Sequence, residues 1–116
     1  MPIRMQATSE VATAYLSGEL DHHTAKEMRE AIDSALNQYS PKLLIMDFGE
    51  VSFMDSSGIG LVMGRYRQMQ LLGGELHVVN TSKRIYQLMK LAGLEKLSVL
   101  KDRQSEKSTA GNRRDQ

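Results

Sequence analysis

The sequence predicts an α/β fold, a mixed β-sheet packed against helices that form a single layer mainly on one face. Three observations predict it. Short apolar or alternating segments take turns with longer segments of helical period, in the order β-β-α-β-α-β-α-β. Capping residues precede the helical segments, and glycine or proline follows them. The chain has 116 residues, 41% hydrophobic and 25% charged, which suits one domain with one modest core. Residues 1–100 are read as that domain, and 101–116 as a polar C-terminal tail.

A first strand is expected near Ile3 to Gln6. Val11 to Leu16 alternates small and bulky side chains and ends at Ser17-Gly18, a strand followed by a turn. Thr24 to Asn37 is the clearest helix, with Ala25, Met28, Ala31, Ile32, Ala35 and Leu36 at helical spacing. Thr24 and Glu27 fit the S/T-x-x-E capping box at its start, and Ser40-Pro41 ends it. Leu43 to Met46 is a short continuous apolar run, the mark of a strand buried on both faces. Asp47 to Phe53 reads as a loop or strand end. A second helix runs from about Ser57 to Leu72, stopped by Gly73-Gly74 in the left-handed conformation glycine tolerates. Glu75 to Val79 is a strand. Ser82 caps a third helix with an apolar face of Ile85, Leu88, Met89 and Ala92, closed by Gly93. Leu97 to Leu100 is a last short strand. From Lys101 onward the only apolar residue is Ala110, too little to offset ordering entropy, so a disordered tail is expected.

Composition excludes several classes of function. With no cysteine there is no disulfide framework, thiolate zinc site or cysteine nucleophile. No apolar run approaches the roughly 20 residues of a membrane span, and the first residues lack the apolar stretch of a signal peptide. A cytoplasmic domain without a membrane partner is expected. Net charge is +1, from 15 Lys+Arg against 14 Asp+Glu. Part of the basic excess lies in the tail, at Lys101, Arg103, Lys107, Arg113 and Arg114. Binding to nucleic acid needs cations clustered on a folded face, so none is expected.

Three features are candidates for chemistry. Asp55-Ser56-Ser57-Gly58-Ile59-Gly60 stands where a buried strand hands over to a helix, at the strand end where ligands and partners usually meet an α/β sheet. The free N–H groups and positive dipole end of that helix favour negative charge, including a phosphoryl group on either serine. A plain N-cap explains the same residues. The nucleophile elbow G-x-S-x-G is absent, which argues against a serine hydrolase. Gly58, Gly60 and Gly64 loosely imitate a dinucleotide fingerprint, but Asp55 would repel a pyrophosphate. Close packing of the helix on the sheet through Gly60 and Gly64 is the better account. The second feature is Glu19-Leu20-Asp21-His22-His23-Thr24. Adjacent residues rarely aim at one ion, so an exposed polar loop is expected and no metal. The third is methionine: Met28, Met46 and Met89 fall on core faces, while Met54 beside the serines suits an adaptable surface contact.

Gly18-Glu19-Leu20-Asp21-His22-His23-Thr24-Ala25, Phe53-Met54-Asp55-Ser56-Ser57-Gly58-Ile59-Gly60 and Gly64-Arg65-Tyr66 resemble the STAS-domain anti-sigma factor antagonists. The His-His pair and the Gly-Arg-Tyr stretch are most similar to the sporulation branch, which opposes the anti-sigma-F factor. The resemblance runs from about Val11 to Leu100 and implies the STAS fold. It implies a substrate and binding partner without catalysis or cofactor of its own. A kinase anti-sigma factor would phosphorylate Ser56, the first serine of the turn. The unphosphorylated form would bind that kinase in its ADP-bound form and release the sporulation sigma factor. A PP2C-type serine phosphatase would reset it. The residues placed at the partner surface are Asp21, His22, His23, Thr24, Met54, Asp55, Ser57, Gly58 and Ile59. The family usually ends in a further amphipathic helix, for which residues 101–116 offer no apolar face. The alternatives are a stress-response antagonist of the same family and a nucleotide-binding module built on the Gly58-x-Gly60 turn.

Overall fold

A computed structural model describes residues 2–101. Four strands, β1 (Ile3–Ala7), β2 (Val11–Leu20), β3 (Leu43–Met54) and β4 (Glu75–Val79), form one sheet in the order β1-β2-β3-β4. The β1/β2 pair is antiparallel, whereas β2/β3 and β3/β4 are parallel. The sheet is therefore mixed, as the sequence predicts. Helices α1 (His22–Tyr39) and α2 (Ser56–Leu71) are the crossovers between the parallel strands. Helix α3 (Lys83–Leu91) follows β4, and a short 3-10 turn covers Leu94–Leu97.

One face of the sheet makes the core. Ala12, Ala14 and Leu16 of β2, Leu44, Met46 and Phe48 of β3, and Leu76 and Val78 of β4 are all buried there. Met28, Ile32 and Leu36 of α1, Val62 and Met69 of α2, and Met89 of α3 close over them. Leu43 and Ile45 point to the other face and are only half-buried. The run 43–46 is thus not buried on both sides, because the helices lie on one side.

Two strands are longer than the sequence suggests. β3 continues without a break to Met54, and β2 runs through Ser17-Gly18 to Leu20. The register between them shifts between Tyr15 and Ser17 and again between Gly18 and Glu19, each time with an extra residue on β3. Such bulges keep both strands paired where the local sequence reads as a turn. Gly18 takes φ +78°, a conformation natural to glycine, at the second of them.

The helix caps also differ. The box at α1 uses Asp21 and Thr24, not Thr24 and Glu27. Asp21 accepts from the His23 and Thr24 N–H groups (3.0 and 3.1 Å), and Thr24 Oγ1 accepts from the Asp21 N–H (3.0 Å). The helix therefore starts earlier, at His22. α2 begins at Ser56 with Asp55 as its cap, and Gly73 is left-handed as expected. Ser82 caps α3 by accepting from the Ile85 N–H (3.2 Å). Ile85 and Met89 are buried, but Ala92 is exposed past the helix end.

The expected last strand is a single rung. Leu100 bridges Val78 in parallel, with Val78 N–H donating to Val99 O (2.7 Å) and Lys101 N–H to Val78 O (3.1 Å). Lys101 is thus tied to the sheet. The rest of the expected tail, 102–116, lies outside the described residues. Among the described residues no helix is long and apolar enough to cross a membrane.

Candidate functional site

The parallel pairing of β2 with β3 fixes the site. Leu20 and Met54 are the last paired residues of the two strands, and the Asp55 N–H donates to Leu20 O (3.1 Å). Both strands then turn into helices at an aspartate cap. The N-termini of α1 and α2 are consequently side by side at the carboxyl end of the sheet. The sequence segments 19–25 and 53–60, which are more than 25 residues apart, become one surface.

At α2, Asp55 Oδ1 accepts from the Ser57 N–H at 2.8 Å. That carboxylate makes the cap, so the Ser56 hydroxyl is not needed for it. Ser56 is exposed at the first position of the helix, and Ser57 is half-buried one residue further on. Neither α1 nor α2 carries an acidic residue in its first turn. The positive dipole end of α2 therefore lies at Ser56, partly offset by the Asp55 cap, whose carboxylate and backbone oxygen take up the Ser57 and Gly58 N–H groups.

At α1, His22 and His23 are exposed, and their rings lie against each other with centroids 4.2 Å apart. Asp21 and Thr24 are half-buried and held by the reciprocal cap. Thr24 Oγ1 also donates to Glu19 O (2.7 Å), locking the loop onto the end of β2. Among the described residues no three His, Asp or Glu side chains converge as a metal site.

The Thr24 N–H above all lowers the Asp21 carboxyl from its ordinary value of 3.8; desolvation opposes it and the His23 N–H adds to it. A lowered folded value stabilises the cap above the unfolded value and ceases to do so as pH falls through the folded one. The first turn of α1 should therefore open only in acid below 3.8. The check is an amide-shift titration of His23 and Thr24; a midpoint at or above the ordinary value would contradict it.

The structure brings the sequence-predicted residues together, with two changes of role. Met54 and Gly58 are buried. A Cβ on Gly58 would run into the Met54 side chain and come within 3.3 Å of Leu20 Cδ1. Met54 is therefore a core residue under the turn, not a surface contact, and Gly58 is the glycine that lets α2 approach. Gly60 and Gly64, expected to serve close packing, have nothing within 4 Å of where a Cβ would stand. Ile59 is half-buried and packs against the core cluster.

Three residues at the site were missed. Phe53 is 46% exposed beside the turn, because β3 stays in strand conformation to Met54 and leaves Phe53 pointing outward. Its exposure is invisible while 47–53 is read as a loop. Lys26 and Arg29 line a cleft between α1 and α2 together with His22, Ser57, Gly60 and Arg65. The spacing 22, 26, 29 was the available signal, since residues four and seven apart share a helix face.

Arg65 is buried and ties the two helices together. Its Nε lies 3.1 Å from Asp33 Oδ1 and donates to Gln68 Oε1, also at 3.1 Å. The carboxylate oxygen is held by charge rather than by an aligned hydrogen bond. Burial lowers the proton affinity of the guanidinium, Asp33 opposes this, and the nearby Arg29 charge adds to it.

The STAS domain family matches residues 2–107 of the chain. The anti-sigma F factor antagonist of Paenibacillus polymyxa is 33% identical over 102 residues, 88% of this chain and 87% of the relative. The anti-sigma-B factor antagonist of Listeria monocytogenes is 30% identical over 95 residues, 79% of this chain and 80% of that protein. Among solved structures, the anti-sigma factor antagonist SpoIIAA in its unphosphorylated form superposes with a TM-score of 0.77 at 34% identity, covering 86% of both chains. The phosphorylated form of the Bacillus protein superposes with a TM-score of 0.70 at the same identity, covering 86% of this chain and 89% of that one.

Proposed function

Since the chain belongs to the STAS-domain family, we propose that it is an anti-sigma factor antagonist of the sporulation type, switched by phosphorylation of Ser56. In its unphosphorylated form it binds a kinase anti-sigma factor in the ADP-bound state and releases the sigma factor. In its ATP-bound form the kinase transfers the γ-phosphoryl group to the Ser56 hydroxyl, leaving ADP, and a PP2C-type phosphatase hydrolyses the ester with water to restore the serine and release phosphate. The protein is a substrate and a partner, and performs no catalysis itself. The partner surface is Asp21, His22, His23 and Thr24 together with Asp55, Ser57 and Ile59, with Met54 and Gly58 supporting it from below.

The observation that carries this reading is the exposed Ser56 hydroxyl at the start of α2, uncommitted to the cap and flanked by the start of α1. A kinase needs a reachable hydroxyl, and a switch needs that hydroxyl inside the contact surface. The likeness to SpoIIAA in both phosphorylation states supports the same reading. A stress-response antagonist is the second reading, favoured by the likeness to the Listeria anti-sigma-B factor antagonist. The two differ in the kinase and share the turn.

The test is to incubate the chain with ATP and each kinase anti-sigma factor of its own bacterium, and to map the phosphate by mass spectrometry. One phosphate on Ser56 from a sporulation kinase is the expected result. Incorporation by a stress-response kinase alone would favour the second reading. No incorporation from kinases active on other antagonists would overturn both. Ser57→Ala is expected to slow phosphorylation without removing the acceptor; if it abolished incorporation while Ser56→Ala did not, the acceptor would be Ser57.

A further inference from the structure

The cleft between the N-terminal halves of α1 and α2 has a volume of about 380 Å³ and is lined by cations from both helices. His22, Lys26 and Arg29 form its α1 wall, and Ser57, Gly60 and Arg65 its α2 wall. Among the described residues no carboxylate lines it. Asp33 neutralises Arg65, 3.1 Å away. Lys26 and Arg29 have no ion-pair partner among the described residues. Glu27 and Glu30, adjacent to them in sequence, come within ion-pair distance of neither, and Asp21 and Asp55 are engaged by helix-start N–H groups.

Two further observations point to something that fits there. Arg29 stands close enough to Arg65 to lower its proton affinity, so like charges are held together across the cleft. Gly60 is a helical glycine that neither packing nor a left-handed backbone requires. Glycine weakens a helix relative to alanine, and what it gains here is a bare wall. The cleft is also continuous with the switch, because Ser56 precedes Gly60 by four residues and shares its face of α2.

We propose that this cleft receives an acidic segment of the kinase partner, with Lys26 and Arg29 as the cations that recognise it. The proposal rests on the antagonist reading and adds the charge of the partner's surface to it. A partner that covers Ser56 extends over Gly60 and brings its adjoining surface against Lys26 and Arg29. A carboxylate there supplies the pairing that those side chains lack.

The experiment measures affinity for the kinase anti-sigma factor from the same bacterium by calorimetry, at about 50 and about 200 mM salt. The chains compared are the unmodified protein, Lys26→Gln/Arg29→Gln and Lys26→Glu/Arg29→Glu. Neutralisation is expected to weaken binding about tenfold at the lower salt and to flatten the salt dependence. Charge reversal is expected to weaken it further, by about a hundredfold in total. Both side chains are exposed, so the melting temperature should not fall. Binding and salt dependence within about twofold of the unmodified chain would overturn this inference and leave the antagonist reading intact. No binding by the unmodified chain would overturn that reading, and this inference with it.

Discussion

Phosphorylation of Ser56 is expected to weaken binding to the kinase anti-sigma factor by about two decades while leaving the fold unchanged. A phosphoryl group brings about −1.5 to −2 charges and three acceptor oxygens. On this chain it stands at the first position of α2, where the positive dipole end favours an anion, offset in part by the Asp55 cap, and the first turn itself carries no acidic residue. The folded chain therefore tolerates the group. The partner does not: one carboxylate about 6 Å away, at an effective dielectric near 20, repels a dianion by about 5 kcal/mol before screening. Half of that already corresponds to roughly a hundredfold in affinity. An acidic partner segment beside Lys26 and Arg29 would place such a carboxylate near the serine. Ser56→Ala should bind without ever being inactivated, and Ser56→Asp should bind poorly, since one carboxylate only partly imitates the dianion. Calorimetry on the two phosphorylation states, with backbone amide shifts of each, checks both halves. Shift changes spread far from residues 55–60 would refute a purely local block.

The sequence made the helices legible and hid the strands that position the site. α1 and α3 carry strong helical periodicity and side-chain caps, and both are found within a few residues of where the pattern puts them. The error at α1 came from preferring Thr24-x-x-Glu27 over Asp21-x-x-Thr24, two boxes that overlap in sequence. Only backbone geometry distinguishes them. The apolar run that marks β3 ends at Met46, and 47–53, with Gly49, Glu50 and Ser52, reads as a loop or strand end. The long ladder with β2 overrides that local pattern, and its bulges cannot be read from one strand alone. The site residues were legible as two polar segments. Their adjacency was not, because it depends on Leu20 and Met54 being paired at the far ends of those extended strands.

Gly58→Val should be the most destabilising single change at the site, and Gly60→Ala two residues later should be stabilising. Sequence gives no reason to separate them: both are glycines in the first turns of α2. At Gly58 an added Cβ overlaps Met54 and reaches within 3.3 Å of Leu20 Cδ1. Met54 is 7% exposed and Leu20 fully buried, so neither has solvent to move into without exposing core. Overpacking of this kind costs about 1–3 kcal/mol, and valine adds two γ-methyl groups beyond the Cβ and a β-branch unfavourable in a helix. About 2–3 kcal/mol would lower the melting temperature by roughly 10–20 °C in a domain of this size. At Gly60 the Cβ meets nothing, and the substitution recovers up to about 1 kcal/mol of helix propensity. The damage at Gly58 also spreads across the surface. Met54 and Leu20 are the paired residues that hold the starts of α2 and α1 together, and the Asp55 N–H bonds to Leu20 O. Pushing them apart separates Ser56 from Asp21 and His22, so affinity for the kinase should fall along with stability. Thermal melts and binding measured on both variants decide it. A Gly58→Val chain that melts like the parent would mean the turn can open at little cost, and that the two helix starts are not held as one rigid surface.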